Sequence, residues 1–147
     1  MPARVRSEIA GERLLFQCEG IRVSLHRSGR VPGSIVAGGV NVGLGAFAVT
    51  DRRVIGSRGR VKWVDVPVQD PSSGPATLTL DPTGMHVAFD LDAVHPSCSG
   101  EMRIDFRTEI PEADLARLPI RQMSFAVDPQ KVVRLWGSLK KLPTDQG

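Results

Sequence analysis

Between Leu14 and Arg107 the apolar runs are short, and the clearest of them alternate. In "IRVSLHR", Ile21, Val23 and Leu25 take turns with Arg22, Ser24 and His26. A period of two is that of a strand with one face buried, and a strand this short is stable only beside others. The runs "LLFQCE" and "IRVSLHR" flank Gly20, and "LGAFAVT" and "RVIGSR" flank a tight turn at Asp51 and Arg52. "VKWVDVPV", "ATLTLD", "GMHVAFDLDAV" and "EMRIDFRTE" follow, separated by "QDPSSGP", "DPTG" and similar turn clusters. Seven or eight strands so closely spaced predict a mainly β fold, a small antiparallel barrel or sandwich of about seven strands. The glycine-rich "VPGSIVAGGVNVGLG" reads as a mobile loop over 33–45, with Gly38 and Gly39 supplying permissive backbone angles.

The period changes in the last forty residues. "PEADLARLP" opens with Pro111 at a first helical position, carries Glu112 and Asp114 near the positive end of the dipole and stops at Pro119, about two turns. After the alternating "MSFAV", Asp128 and Pro129 suit the N-cap and first position of a second helix. In it Val132, Leu135, Trp136 and Leu139 fall on one stripe, and Pro143 closes the element. Such a helix is expected to bury Trp136 against the open end of a barrel.

With 147 residues and 41% apolar content the chain suits a single domain, 1–147, with a core spanning about 12–140. Its net charge is +3, and the excess is local: residues 1–73 hold 11 basic side chains against 6 acidic, the rest 8 against 10. That is sparse for a polyanion binder and argues against nucleic acid as a partner. Two cysteines far apart, Cys18 and Cys98, make neither a disulfide framework nor a four-thiolate metal site, and read as buried thiols in a reducing cytoplasm. No stretch has the length of a signal peptide core or of a transmembrane segment, so the expected location is cytoplasmic. Arg far outnumbers Lys and Tyr is absent, the composition of a high-GC bacterial gene.

The order of elements, antiparallel strands and then a C-terminal amphipathic helix, comes together with the hairpin "FAVTDRRVIGSRGR". In this the chain resembles the bacterial PH-like (pleckstrin-homology-like) proteins, in which a strand, turn and strand commonly read Leu-Thr-Asp-Arg-Arg and an apolar residue. Val49, Thr50, Asp51, Arg52, Arg53 and Val54 match that pattern. The resemblance implies a bent seven-stranded barrel capped at one end by the helix, and a tendency to self-associate. It also implies that basic residues of the first two strands, here Arg22, His26, Arg27 and Arg30, stand where lipid-binding members hold phosphate.

The strongest candidate surface is the basic cluster Arg52, Arg53, Arg58, Arg60 and Lys62, five cations and one acid in twelve residues. Near an anionic membrane several such side chains add about 1 kcal/mol each at low salt. The plainer reading places Arg58, Arg60 and Lys62 on one solvated strand face because Val61 and Trp63 turn to the core, where they protect an edge from aggregation. His86, His95 and Cys98 with Asp90 and Asp92 form the one ligand-like group, but half of a zinc site is missing and ordinary strand and turn roles account for them. The glycine-rich stretch lacks the Lys and hydroxyl of a phosphate loop, and the Ser-x-x-Lys at Ser138 to Lys141 lacks an oxyanion hole. No catalytic set, cofactor site or metal site is expected. The sequence points to a non-enzymatic interaction module that binds protein or itself, with peripheral binding to anionic membrane lipid through the basic hairpin as the alternative.

Overall fold

The structure, a computed structural model, describes residues 3–31, 34–68 and 74–128. A short helix α1 (Ala3–Ile9) precedes the strands β1 (Leu14–Val31), β2 (Ser34–Thr50), β3 (Arg53–Arg58), β4 (Val61–Pro67), β5 (Ala76–Asp81), β6 (Gly84–Asp90), β7 (Ser99–Arg107) and β8 (Gln122–Phe125). A 3-10 turn at Leu91–Ala93 leads into β7, and a one-turn helix α2 (Glu112–Leu115) stands before β8. All pairings are antiparallel, in the order β4-β3-β2-β1-β7-β6-β5-β8, and the sheet curls into a half-barrel. The mainly β, barrel-like expectation holds. The amphipathic run expected at 128–143 lies, beyond Asp128, outside the described residues, as does the Ser138 to Lys141 motif.

Alternation puts Val23 and Leu25 of β1, Phe47 and Val49 of β2, Val54 of β3, Met85 and Val87 of β6 and Ile104 and Phe106 of β7 into one concave core. Phe47 meets Phe106 edge-on at 6.0 Å between ring centroids. Each such side chain contributes about 1.5–3 kcal/mol on full burial. Leu115 of α2 and Ile110 before it close the same core from one end.

Three local expectations change. "LLFQCE" and "IRVSLHR" are one strand, because the register with β2 slips between Cys18 and Ile21 and Gly20, at φ +64°, absorbs the slip as a bulge. The glycine-rich stretch is also strand: β2 pairs with β1 from Thr50 back to Ser34. Its glycines serve close approach. A Cβ at Gly45 would strike the Ser57 carbonyl and the Val23 side chain, and one at Gly43 would strike the Arg58 guanidinium. The third change is α1, whose Val5 and Ile9 lie one helical turn apart and pack on Ala48 and Ile55. They cover the outer face of β2 and β3 at Ala48 and Ile55, so the strands are buried on both sides there.

Candidate interaction surface

The hairpin of β3 and β4 places the five basic residues differently from a single strand face. Gly59, at φ +58°, and Arg60 make the turn between the two strands, so Arg58 and Lys62 belong to opposite strands, and Val61 points to solvent while Trp63 is buried. Arg53 binds Glu12 through Nε and Nη2, the latter at 2.6 Å, and approaches Asp65 at 3.4 Å. The Thr50 hydroxyl donates to the same Glu12 carboxylate at 2.6 Å. Lys62 donates to Glu8 at 2.9 Å and to Asp65 at 3.0 Å. Two of the five cations therefore sit in a network with three acids.

The electrostatics follow from this packing. Burial works to raise the Glu12 carboxyl, but hydrogen bonds from Arg53 and Thr50 and the charges of Arg53 and Arg52 outweigh it and hold it below its ordinary value. The hydrogen bond that Lys62 donates to Glu8 leads the causes that hold its ammonium above its ordinary value. Arg58 turns inward over Gly43, bonds Asn41 Oδ1 at 2.8 Å and lies 5.5 Å above the Trp63 ring. Arg52 and Arg60 stand exposed at the two turns. The five do not converge on one point. Sequence reasoning missed α1, and with it the acids Glu8 and Glu12 that reach this hairpin from the N-terminus.

A different surface emerges on β2. Its outward column runs Thr50, Ala48, Ala46, Leu44, Val42, Val40, and α1 packs on it at Ala48. Farther along the column Leu44, Val42 and Val40 are 68%, 44% and 61% exposed. The strand edge beside them is open as well. β3 pairs with β2 only from Val49 to Gly45, and the Gly59 amide closes that ladder on the Leu44 carbonyl at 3.0 Å. Among the described residues, Ser34 to Gly43 pair with β1 alone. Because the Leu44 carbonyl points to the β3 side and the register with β1 is unbroken from Gly39 to Gly45, the peptide groups of Val42 and Val40 point to the open edge. β2 also has no Asp, Glu, Lys, Arg or His from Ser34 to Thr50.

On the next strands the same outer face turns polar. Arg22 stands opposite Arg107, Ser24 opposite Asp105, and His26 opposite Arg103. Asp105 is buried and accepts from Arg103 Nε at 3.0 Å, and its other oxygen is 2.7 Å from His86 Nδ1. His86 Nε2 is 2.8 Å from the Thr83 hydroxyl and 3.2 Å from Asp81. A Thr-His-Asp line has the outline of a nucleophile and its base. Here, though, both the hydroxyl and the backbone amide of Thr83 bond Asp81, which ties the residue into the β5–β6 turn.

The ligand-like group expected around His95 is divided. His86 faces Asp105, His95 Nδ1 accepts from the Ser97 amide, and Asp92 belongs to the 3-10 turn, where it accepts from the Gly100 amide. Among the described residues no three His, Cys, Asp or Glu side chains are placed to hold a metal ion. Burial pushes the Cys18 thiol up to about 11, and burial together with the charge of Asp92 raises that of Cys98, the opposite of an activated thiol. A cavity of about 200 Å³ lies where the edge strands β4 and β8 approach, lined by Trp63, Val66, Phe89, Phe125 and Val127, with Asp128 at its border. Among the described residues no helix is long and apolar enough to cross a membrane.

No family model matches the chain, and neither the curated proteins nor the solved structures contain a match to it.

Proposed function

We propose that this chain is a non-enzymatic interaction module of PH-like architecture that binds a protein partner, in the cytoplasm, by accepting its extended strand at the open edge of β2. The observation that carries the reading is the coincidence, at Val40 and Val42, of two features. Main-chain groups with no strand beside them among the described residues point along the sheet, the Val42 carbonyl meeting Arg58 Nη2 at 3.5 Å, and exposed apolar side chains point out of it. Strand addition uses both, the first for affinity and the second for specificity. Natural edges are blunted by charge, proline or a covering element; from Gly39 to Gly43 β2 itself carries neither charge nor proline, and the end of the Arg58 side chain, bonded to Asn41 Oδ1 and 3.5 Å from the Val42 carbonyl, lies against it. Two free thiols suit a reducing compartment.

The alternative, an anionic membrane held by the basic hairpin, draws on Arg52, Arg58 and Arg60 once Arg53 and Lys62 are paired with acids. It ranks second for that reason. The PH-like reading is supported by the half-barrel of antiparallel strands, and its capping helix is proposed for the residues that follow Asp128.

Photo-crosslinking from a benzophenone side chain at position 42, with position 109 as an exposed control, tests the strand-addition reading in source cells. Protein adducts at position 42 and none at 109 are expected. Equal yields at the two positions, or none at 42, would remove the reading.

A further inference from the structure

We infer that the strand accepted by β2 is β2 of a second copy of this chain, paired antiparallel across a two-fold axis through Asn41. The inference rests on the strand-addition reading and names its partner. The five residues bearing the open edge read Gly39-Val40-Asn41-Val42-Gly43, the same in both directions. An antiparallel pair related by a two-fold axis at Asn41 sets each residue against its own kind. Asn41 faces Asn41, Val40 faces Val42 on both sides of the axis, and Gly39 faces Gly43.

The backbone agrees with this register. The peptide groups of Val40 and Val42 point to the open edge, so each Val40–Val42 pair is a hydrogen-bonded pair, and the two pairs exchange four bonds. Asn41 then sits in the narrow pair, with about 4.5 Å between Cα atoms. The window for pairing has the same limits as the palindrome. At one end the Gly59 amide occupies the Leu44 carbonyl. At the other the register with β1 slips between the pairs Arg27–Gly39 and Gly29–Val36, which ends the regular edge.

Side chains and charge fit as well. Val40 and Val42 of both copies form one apolar cluster on the outer face, and directly opposed β-branched pairs are favourable in a sheet. On the other face glycine opposes glycine, and the Arg58 guanidinium, which bonds Asn41 Oδ1 and reaches the Val42 carbonyl at 3.5 Å, has to swing off the edge in each copy for the strands to pair. β2 itself has no charged residue from Ser34 to Thr50, and the charge set against its edge is the flexible end of Arg58. Arg22 stands opposite Leu44, so each would lie about 25 Å from its image, three strand spacings across and six residues along, well beyond the screening length of about 8 Å at physiological salt. The polar columns therefore neither help nor oppose the contact. A pairing this short buries less than the roughly 1,200 Å² of a stable interface, so the association is concentration-dependent.

Sedimentation velocity on the full chain over a concentration series up to about 100 μM, above the Kd of a weak specific complex, is the test. The wild type should move from monomer to dimer, and Val42→Pro should shift the midpoint at least tenfold upward. That variant removes an edge N–H and leaves the pairing with β1 intact. Val42→Lys, which keeps the backbone, does the same if the proline variant fails to fold. Under mild oxidation Asn41→Cys should give a disulfide-linked dimer, while the wild type and Val61→Cys should not. A wild type that stays monomeric, a dimer that both Val42 variants leave intact, or no crosslink at Asn41→Cys would overturn the inference. The position 42 photo-crosslink separates the two levels. An adduct with a different protein would remove the second copy and keep strand addition, whereas no adduct would remove both.

Discussion

Arg53 is the residue on which the N-terminal segment and the hairpin depend together. It reaches Glu12, whose side chain is only 5% exposed, and removing the guanidinium leaves that carboxylate buried with the Thr50 hydroxyl as its remaining hydrogen-bond donor. Arg53→Ala is therefore expected to cost roughly 1–3 kcal/mol in urea unfolding, against less than about 0.5 kcal/mol for the exposed Arg60→Ala. Equal effects would mean that the network does not hold the hairpin. The same network sets the pH dependence. Glu12 is held below its ordinary 4.5, so its contribution is complete above that pH and is lost as the pH falls through the lower folded value. Lys62 is held above 10.5, so its contribution is complete below that pH and is lost as the pH rises through the higher folded value. Stability should be level between pH 4.5 and about 9 and fall outside that range, because above 9 the thiols of Cys18 and Cys98, whose values are also raised, add to the alkaline loss. Glu12→Gln should reduce the acid limb, to which Asp81 also contributes, and leave the alkaline one, as unfolding midpoints over the pH range would show.

At the scale of elements, glycine decides what kind of strand β2 is. Gly45 lies against the backbone of β3, whereas Gly43 meets only the end of the Arg58 side chain. A methyl group at Gly45 has nowhere to go, so Gly45→Ala should lose about 1–3 kcal/mol. Gly43→Ala lets Arg58 swing away and should lose less than about 1 kcal/mol, the worth of its contact with Trp63. Thermal unfolding of the two variants compares them directly, and a costlier Gly43→Ala would contradict the arrangement. This is also where the sequence was hardest to read. Alternation in "IRVSLHR" identifies the buried and outer faces of β1 correctly, because Val23 and Leu25 obey the period that burial imposes. Gly38, Gly39, Gly43 and Gly45 carry no side chain with which to register a period, and the reasons for Gly43 and Gly45, Arg58 and Ser57, lie on β3 and are fixed only by its register with β2. The helix α1 left only a faint trace, Val5 and Ile9 four apart before Gly11 in seven residues. That Glu8 and Glu12 would meet Lys62 and Arg53 depends on the fold alone. The basic cluster was visible as a composition, but its neutralisation was not.

For the whole molecule, the order β4-β3-β2-β1-β7-β6-β5-β8 explains why an edge opens in the middle of a sheet. β1 and β2 run to 18 and 17 residues, while β3 has six and leaves β2 after Gly45. Beyond that point β2 is an inner strand by position and an edge by hydrogen bonding. It is held straight by β1, which β7 supports in turn from Arg22 to Arg30. An apolar edge held from one side by β1, with, among the described residues, only the end of Arg58 lying against it, is a surface another strand can pair with, and the two-fold palindrome at Asn41 supplies one. Amide hydrogen exchange followed residue by residue at low and high protein concentration tests this most directly. The amides of Gly39, Asn41 and Gly43 face β1 and should be protected at every concentration. Those of Val40 and Val42 should exchange freely in dilute solution and become protected as the concentration rises. If Val40 and Val42 exchange equally fast at both concentrations, or are already protected in dilute solution, the open edge of β2 is not where copies of this protein meet.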